Sequence, residues 1–110
     1  MRIIVTGGRD YADAKKLFAV LDSIRPTLVM HGAYRGADTL ADDWAKSRGV
    51  KCKPFPADWT AHKKQAGPIR NSRMIAEGAD LVVAFPGGTG TADCVCKARA
   101  AGIEVLEVTL

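Results

Sequence analysis

The sequence is poor in cysteine, histidine and aromatic residues. It has three cysteines and two histidines among 110 residues, and 6% of the chain is aromatic. An odd number of cysteines without framework spacing indicates free thiols rather than a disulfide-stabilised secreted domain. His31 and His62 fall in separate predicted loops, and no group of three or four residues has the spacing of a zinc site. We therefore predict no metal site and no cofactor.

Long apolar runs and targeting signals are also missing. No apolar run is longer than Leu81–Phe85, whereas roughly 20 residues are needed to span a bilayer. The first residues lack the cationic head, apolar middle and small-residue cleavage site of a signal peptide. With 47% apolar and 25% charged residues, the composition is that of an ordinary globular domain. We expect a cytoplasmic protein without a membrane partner, with one domain over residues 1–110.

Positive charge is concentrated in one part of the chain. The formal net charge is +4, and the stretch Lys46–Arg73 contains eight basic residues against one acid, Asp58. Such a basic face suggests an anionic partner, for example a nucleotide or a single-stranded nucleic acid. The alternative is a solvated lysine-rich face with no partner.

Apolar patterning predicts five strands alternating with four helices. The strands are predicted at Arg2–Thr6, Thr27–Met30, Val50–Phe55, Leu81–Phe85 and Ile103–Val108. The helices are predicted at Ala12–Arg25, from Ala37 to a cap at Gly49, at Pro68–Glu77 and at Gly90–Ala101. The segment Pro56–Gly67 between the third strand and the third helix is predicted to be irregular. This alternation favours an α/β fold, a Rossmann-like three-layer sandwich whose five-stranded, mostly parallel sheet carries helices on both faces.

Glycines are concentrated where such a fold binds its ligands. Ligands lie beyond the carboxyl ends of the strands, where the strand order reverses. Seven of the 11 glycines follow the first, second and fourth predicted strands: Gly7, Gly8, Gly32, Gly36, Gly87, Gly88 and Gly90. Glycine lets backbone N–H groups approach an anion, and the helix N-termini that follow favour phosphate. Three converging loops therefore predict a phosphate or nucleotide site, although tight turns also need glycine for purely structural reasons.

The loop after the fourth predicted strand is the strongest instance. It reads Pro86–Thr91 (PGGTGT), in which Thr89 and Thr91 add hydroxyl donors to a turn lined by amides. The glycine loops do not form a dinucleotide-binding GxGxxG fingerprint, because Gly7-Gly8-Arg9 lacks the third glycine. They do not form a Walker P-loop either, because no Lys-Ser or Lys-Thr follows.

Four ordered motifs carry a family resemblance. They are Gly7–Tyr11 (GGRDY), His31–Asp38 (HGAYRGAD), Gly67–Asn71 (GPIRN) with Met74, and Pro86–Thr91 followed by Ala92 and Asp93. The chain resembles the YspA-type, YpsA-related branch of the SLOG superfamily over nearly its whole length. The resemblance implies a Rossmann-like fold that binds nucleotides or nucleotide-derived ligands in the cleft between these loops, and it allows a homodimer or a higher homo-oligomer. The superfamily includes enzymes, sensors and DNA-binding proteins, so the resemblance leaves the activity open.

The first alternative to simple ligand binding is hydrolysis. LOG-type phosphoribohydrolases, which cut the N-glycosidic bond of nucleoside 5′-monophosphates, carry the pattern PGGxGTxxE and an arginine four residues before a methionine. Arg70 and Met74 match the second feature, but the glutamate position is Cys94 here. A thiol with an ordinary pKa near 8.5 does not replace that carboxylate well, and Asp93 is rotated about 100° around the helix. Arg70 and Asp93 are the catalytic candidates, and Cys94 is interpreted as a packing residue.

The second alternative is binding of single-stranded DNA. The loop Gly32–Asp38 and the helix start at Arg70–Ile75 are similar to segments of the DNA-processing protein DprA. The basic stretch suits a row of phosphates. Aromatic stacking platforms are few, because only Tyr11, Tyr34 and Trp59 lie outside the predicted core.

Side chains near the glycine loops complete the predicted site. Arg9, Arg35 and Arg70 are expected to neutralise phosphate, although Arg9 and Arg35 could instead pair with Asp10 or Asp38. Asp38 holds a ribose hydroxyl or caps its helix, Asn71 contacts the ligand or bridges loops, and Trp59 is a base-stacking lid or a cover for the sheet edge. The predicted ligand-binding residues are Gly7, Gly8, Arg9, Asp10, Gly32, Arg35, Gly36, Asp38, Arg70, Asn71, Pro86, Gly87, Gly88, Thr89, Gly90 and Thr91.

Overall fold

Five short strands form one parallel sheet in the computed structural model, which describes residues 1–109. The strands are β1 (Arg2–Thr6), β2 (Leu28–His31), β3 (Lys51–Pro54), β4 (Leu81–Ala84) and β5 (Glu104–Glu107). Their order is β3-β2-β1-β4-β5, and β1 is central, since Ile3 pairs with Val29 on one side and Leu81 on the other. The Rossmann-like α/β prediction is confirmed, and all four strand pairings are parallel.

Five helices connect the strands, and several of their ends have a local cap. They are α1 (Ala14–Ile24), α2 (Ala37–Arg48), α3 (Trp59–His62), α4 (Ala66–Glu77) and α5 (Thr89–Ala100). The Asp13 side chain accepts the Lys16 N–H at the start of α1, and Gly49 ends α2 in the left-handed conformation, as predicted. Among residues 1–109, no helix combines the length and hydropathy needed to cross a membrane.

Alternate residues of the central strands point into two separate hydrophobic cores. Ile3 and Val5 pack with the apolar faces of α1 and α2, where Leu17, Leu21 and Trp44 are buried. The residues between them point to the opposite face, which is covered by α4 and α5 and contains Ile4, Val82, Met74, Cys94 and Ala98. Both faces of β1 and β4 are therefore buried, which is why these strands are continuously apolar.

The segment Pro56–Gly67 differs from its prediction as irregular chain. It contains the single-turn helix α3 and a 3₁₀ turn at Lys63–Gln65, and α4 begins at Ala66, two residues before the predicted Pro68. The Asp58 side chain accepts the Ala61 N–H and so caps α3. Four residues are too few to show helical periodicity, so this helix had no apolar pattern to reveal it.

The strand order brings the site-bearing loops together. The chain adds β2 and β3 on one side of β1 and then returns to place β4 and β5 on the other. The order therefore reverses between β1 and β4, whose carboxyl ends are adjacent because Thr6 pairs with Ala84. This is the edge at which open α/β sheets bind ligands.

Candidate functional site

A cleft of about 690 Å³ opens at the carboxyl edge of β1 and β4. Its walls come from the loops after β1, β2 and β4, from α3 and from the first turns of α4 and α5. Its volume is in the range typical of sites for small molecules and cofactors. The three glycine loops singled out in the sequence thus meet around one cleft.

The structure brings most of the predicted site residues into this lining. They are Gly7, Gly8, Arg9, Gly32, Asp38, Arg70, Asn71, Gly88, Thr89, Gly90 and Thr91, together with the catalytic candidate Asp93.

Five predicted ligand-binding residues lie outside the lining. Asp10 and Arg35 form a highly exposed ion pair, 3.6 Å apart, as the sequence allowed for Arg35. Pro86 accepts the Gly8 N–H at 2.9 Å, and Gly87 packs against Gly8 and Thr91. Gly36 lies against the backbone of Gly8 and Arg9. Gly36, Pro86 and Gly87 therefore hold the loops against each other, whereas Asp10 and Arg35 pair at the surface.

A hydrogen-bonded chain ties α4 to the loops across the cleft. Arg70 donates through Nη1 to the Gly32 carbonyl and through Nε to Asn71 Oδ1, at 2.9 Å for the second bond. Asn71 Nδ2 in turn donates to the Gly90 carbonyl at 3.2 Å and to Asp93 Oδ2 at 3.0 Å. Asn71 is buried. It therefore links α4 to the first turns of α5 and holds the guanidinium of Arg70 in the cleft wall.

Asp38 is a buried carboxyl at the floor of the same cleft. Only 8% of its surface is exposed, and Oδ2 accepts the Tyr34 N–H at 3.3 Å. Burial raises the pKa of Asp38 above its ordinary value, although electrostatic interactions with His31 and Arg70 oppose the rise. A buried acceptor beside an arginine is suited to binding a ligand hydroxyl or N–H.

Asp93, unlike its neighbour Cys94, reaches the cleft. Its carboxylate accepts from Asn71 and forms an ion pair with Lys97 at 2.8 Å. Cys94 is completely buried in the core between the sheet and helices α4 and α5, beside Thr6, and burial raises the pKa of its thiol to about 11. A neutral thiol in this position packs, as the sequence interpretation held, and does not act as a nucleophile.

The cleft also contains residues outside the predicted ligand-binding set, among them Trp59, which the sequence analysis offered as a base-stacking lid or a cover for the sheet edge. Thr6, Tyr34, Trp59, Lys64 and Met74 line it. Thr6 could have been found as the last residue of the first strand, and Met74 as part of the matched motif. The position of Lys64 had no signal, because it depends on the turn that follows α3.

Tyr11 does not offer the exposed platform that the sequence suggested. Its ring packs on Phe85, with centroids 5.3 Å apart, against the core formed with α1 and α2. Burial of the hydroxyl raises its pKa. The aromatic lining of the cleft is therefore Tyr34 and Trp59.

Much of the basic stretch is neutralised by carboxylates from elsewhere in the chain. Lys46 pairs with Asp42, Arg48 with Asp22, and Lys53 with Glu77. Lys64 and Arg70 instead line the cleft. Part of the positive charge counted in the sequence is therefore balanced within the fold.

Three potential metal ligands meet away from the cleft lining. His31 Nε2 and Cys52 Sγ lie 3.1 and 3.2 Å from Asp42 Oδ1. His31 ends β2 and is buried, which corrects its predicted loop position. Its Nδ1 accepts the Ala33 N–H at 2.9 Å, so in the neutral ring Nε2 carries the proton that Asp42 accepts. A metal-bound imidazole normally donates through its other nitrogen, which this contact prevents, so the trio fits a hydrogen-bonded network better than a metal site.

Asp42 makes folding stability acid-sensitive. Its hydrogen bonds, that from Lys46 above all, lower its pKa to about 2. Because this value is below that of an unfolded aspartate, the stabilisation is complete above about pH 5 and is lost as the pH falls towards 2. Lowering the pH from 5 to 2.5 should reduce the unfolding free energy of the native protein, measured by denaturant titration. We expect this reduction to be about 1–2 kcal/mol smaller in Asp42→Asn.

Asp43→Asn is the matched control for this experiment, since Asp43 is the exposed neighbour on the same helix. It should keep the acid sensitivity of the native protein. Equal pH dependence in Asp42→Asn and the native protein would contradict this account of Asp42.

Comparisons with known proteins agree with this architecture. The chain is 38% identical over 117 aligned positions to the Gene 61 protein of Mycobacterium phage D29, covering 96% of this chain and 94% of that protein. Among solved structures it is similar to MurG of Acinetobacter baumannii, with a TM-score of 0.60 and 15% identity. That match covers 98% of this chain but only 34% of MurG. It is also similar to the C-terminal domain of a Pyrococcus furiosus hydrogenase, with a TM-score of 0.54, 18% identity, and coverage of 97% of this chain and 90% of that domain.

The structural matches have low sequence identity and show the fold alone. The family is shown by sequence, since residues 1–62 match the family model described as YspA, cpYpsA-related SLOG. These residues include the glycine loops after β1 and β2 and supply nine of the 20 residues that line the cleft. The chain therefore belongs to the YspA, cpYpsA-related SLOG family.

Proposed function

We propose that the protein binds or senses a nucleotide or a nucleotide-derived ligand in the cleft between its glycine loops. The observation that carries this proposal is the joint lining of one cleft by the start of α5, Arg9 and Arg70, and the buried Asp38. The start of α5 supplies backbone N–H groups, Arg9 and Arg70 supply positive charge, and Asp38 supplies an acceptor for hydroxyl groups.

The phosphate end of the ligand is proposed to lie at the first turn of α5. Gly88 caps this helix, and Gly90 is its second residue. A Cβ built on either glycine would meet no heavy atom within 4 Å, so the space beside their backbone is open. The four N–H groups of a first helical turn lack partners within the helix, and they favour anions there. Through Asn71, this turn is linked to the guanidinium of Arg70.

Gly90→Ala separates ligand binding from folding. The added methyl group should leave the ligand-free protein as stable as before, or more stable by about 0.5–1 kcal/mol, because alanine is favoured over glycine within a helix. The same methyl group should reduce nucleotide affinity at least tenfold, because it occupies the space proposed for phosphate. The measurement is a thermal shift at low salt with nucleoside mono-, di- and triphosphates, NAD, ADP-ribose and an oligodeoxythymidylate.

For the native protein, a ligand at 100 times its Kd should add about 2.7 kcal/mol and raise Tm by roughly 10 °C or more. Cys96→Ala, an exposed change on the same helix and outside the cleft lining, should keep the full shift. Unchanged nucleotide affinity in Gly90→Ala would place the phosphate elsewhere. A shift given only by the oligonucleotide, and lost as salt rises, would favour DNA binding instead.

Hydrolysis of a nucleoside 5′-monophosphate is the second candidate, favoured by Asp93. This carboxylate lines the cleft and is oriented by Asn71 and Lys97, so it could stabilise the positive charge that develops on the sugar when an N-glycosidic bond breaks. Release of free base from AMP, detected by chromatography and abolished in Asp93→Asn, would identify this activity. Binding of AMP without base release would leave the protein as a binding or sensing module.

A further inference from the structure

Two aromatic side chains are exposed at the rim of the cleft. Five large hydrophobic side chains of the described residues are exposed, and the two aromatic ones, Tyr34 at 39% and Trp59 at 49%, both line the cleft. Their ring centroids are 6.2 Å apart and the planes are inclined by 57°. They come from different elements, the loop after β2 and the start of α3. Packing of the core does not explain them, because both leave much of their rings open to solvent.

The chain around Trp59 holds the indole at this place. Asp58 caps α3, and the indole rests against the first turn of α4, with Cη2 3.5 Å from where a Cβ of Gly67 would lie. Lys63, which donates its N–H to the Trp59 carbonyl, has φ 52° and ψ −125°, a conformation rarely adopted by residues other than glycine. Strained backbone of this kind concentrates at ligand clamps. The following residue, Lys64, lines the cleft as well.

We propose that Trp59, with Tyr34 beside it, is the stacking surface for the base of the ligand. This inference rests on the proposed function and extends it, because it requires an aromatic ring in the ligand and not merely a sugar phosphate. Flat purine or pyrimidine rings stack on tryptophan and tyrosine, and such stacking tolerates different bases. The phosphate would then lie at the start of α5, and the sugar between them, near Asp38 and Arg70.

The base is expected to contribute to affinity only when position 59 carries an aromatic ring. The test titrates AMP and ribose 5-phosphate into the native protein and into Trp59→Leu by calorimetry. For the native protein we expect AMP to bind about 5- to 100-fold more tightly than ribose 5-phosphate. In Trp59→Leu this preference should disappear, while the affinity for ribose 5-phosphate stays within about twofold. AMP should also quench the fluorescence of Trp59, whereas Trp44, which is buried and bonded to Asp22, supplies a constant background.

Two variants control for folding and for loss of exposed apolar surface. Trp59→Phe keeps an aromatic ring and should retain most of the AMP preference. Ile69→Ala removes an exposed apolar side chain of α4 that lies outside the cleft lining, and it should bind both compounds as the native protein does.

The outcomes separate this inference from the proposed function. Equal AMP affinity in the native protein and Trp59→Leu, or binding of ribose 5-phosphate but not of AMP, would overturn the stacking surface and leave phosphate binding intact. Failure of the native protein to bind AMP, ribose 5-phosphate or any nucleotide of the thermal-shift panel would overturn both.

Discussion

Arg70→Ala is expected to weaken nucleotide binding about 10- to 100-fold. The Arg70 guanidinium is held in the cleft wall by the Gly32 carbonyl and by Asn71. It is therefore oriented before a ligand arrives, which reduces the entropy lost on binding. Together with His31, Arg70 also opposes electrostatically the pKa rise of the buried Asp38. Isothermal titration with AMP measures the loss.

Arg73 offers a matched control, because it is an exposed arginine on the same helix and does not line the cleft. Arg73→Ala should change affinity by less than about twofold at moderate salt, where exposed charges are screened. Arg70→Lys should give an intermediate loss, since lysine keeps the charge without the paired N–H groups. If Arg70→Ala and Arg73→Ala bind nucleotide equally well, Arg70 has no part in the site.

Gly36→Ala is expected to have the largest effect on stability, lowering the unfolding free energy by about 3 kcal/mol. Gly36 has φ +79°, and a Cβ there would lie 2.2 Å from the Gly8 carbonyl oxygen and 2.5 Å from the carbonyl carbon of Arg9. Both contacts are with backbone, which cannot move aside as a side chain can. At roughly 4–8 °C for each kcal/mol, the fall in Tm should exceed about 10 °C in a thermal melt of the ligand-free protein.

Gly90→Ala is the matched glycine substitution, because its Cβ would meet open space and its φ is ordinary. It should melt within a few degrees of the native protein. A Gly36→Ala variant that melts as high as Gly90→Ala would show that the loops after β1 and β2 do not approach each other as described.

Structural features that depend on nearby residues were predicted correctly. Thr6 is the last residue of β1, Gly49 ends α2, and Pro68 lies in the first turn of α4, because strand periodicity, left-handed caps and the missing proline N–H act over a few residues. The glycines that follow three of the strands predicted the loops that form the cleft. These features depend on neighbours in the sequence and can be read from it.

The ion pairs and the hydrogen-bonded network around Asp42 could be identified only from the folded structure. Asp42 meets His31 and Cys52, which are 11 and 10 residues away, only because β2, α2 and β3 pack together. Likewise Glu77 neutralises Lys53 from a different element, so the count of charges in the basic stretch overstated the charge available to a ligand. Residue types predict that such pairs are possible, but only the packing selects partners.

The alternation of apolar strands and helices, the glycine loops and the motifs of a SLOG protein were all present in the chain before folding. Tertiary structure alone distinguished glycines such as Gly90, beside open space, from glycines such as Gly36, against another loop, and it brought Trp59 to the cleft through a four-residue helix. The physical reason is the distance along the sequence over which the determining interactions act. Secondary structure depends on side chains a few residues apart, whereas a cleft depends on strand order and on close contacts between segments far apart in sequence, which only the packed sheet brings together.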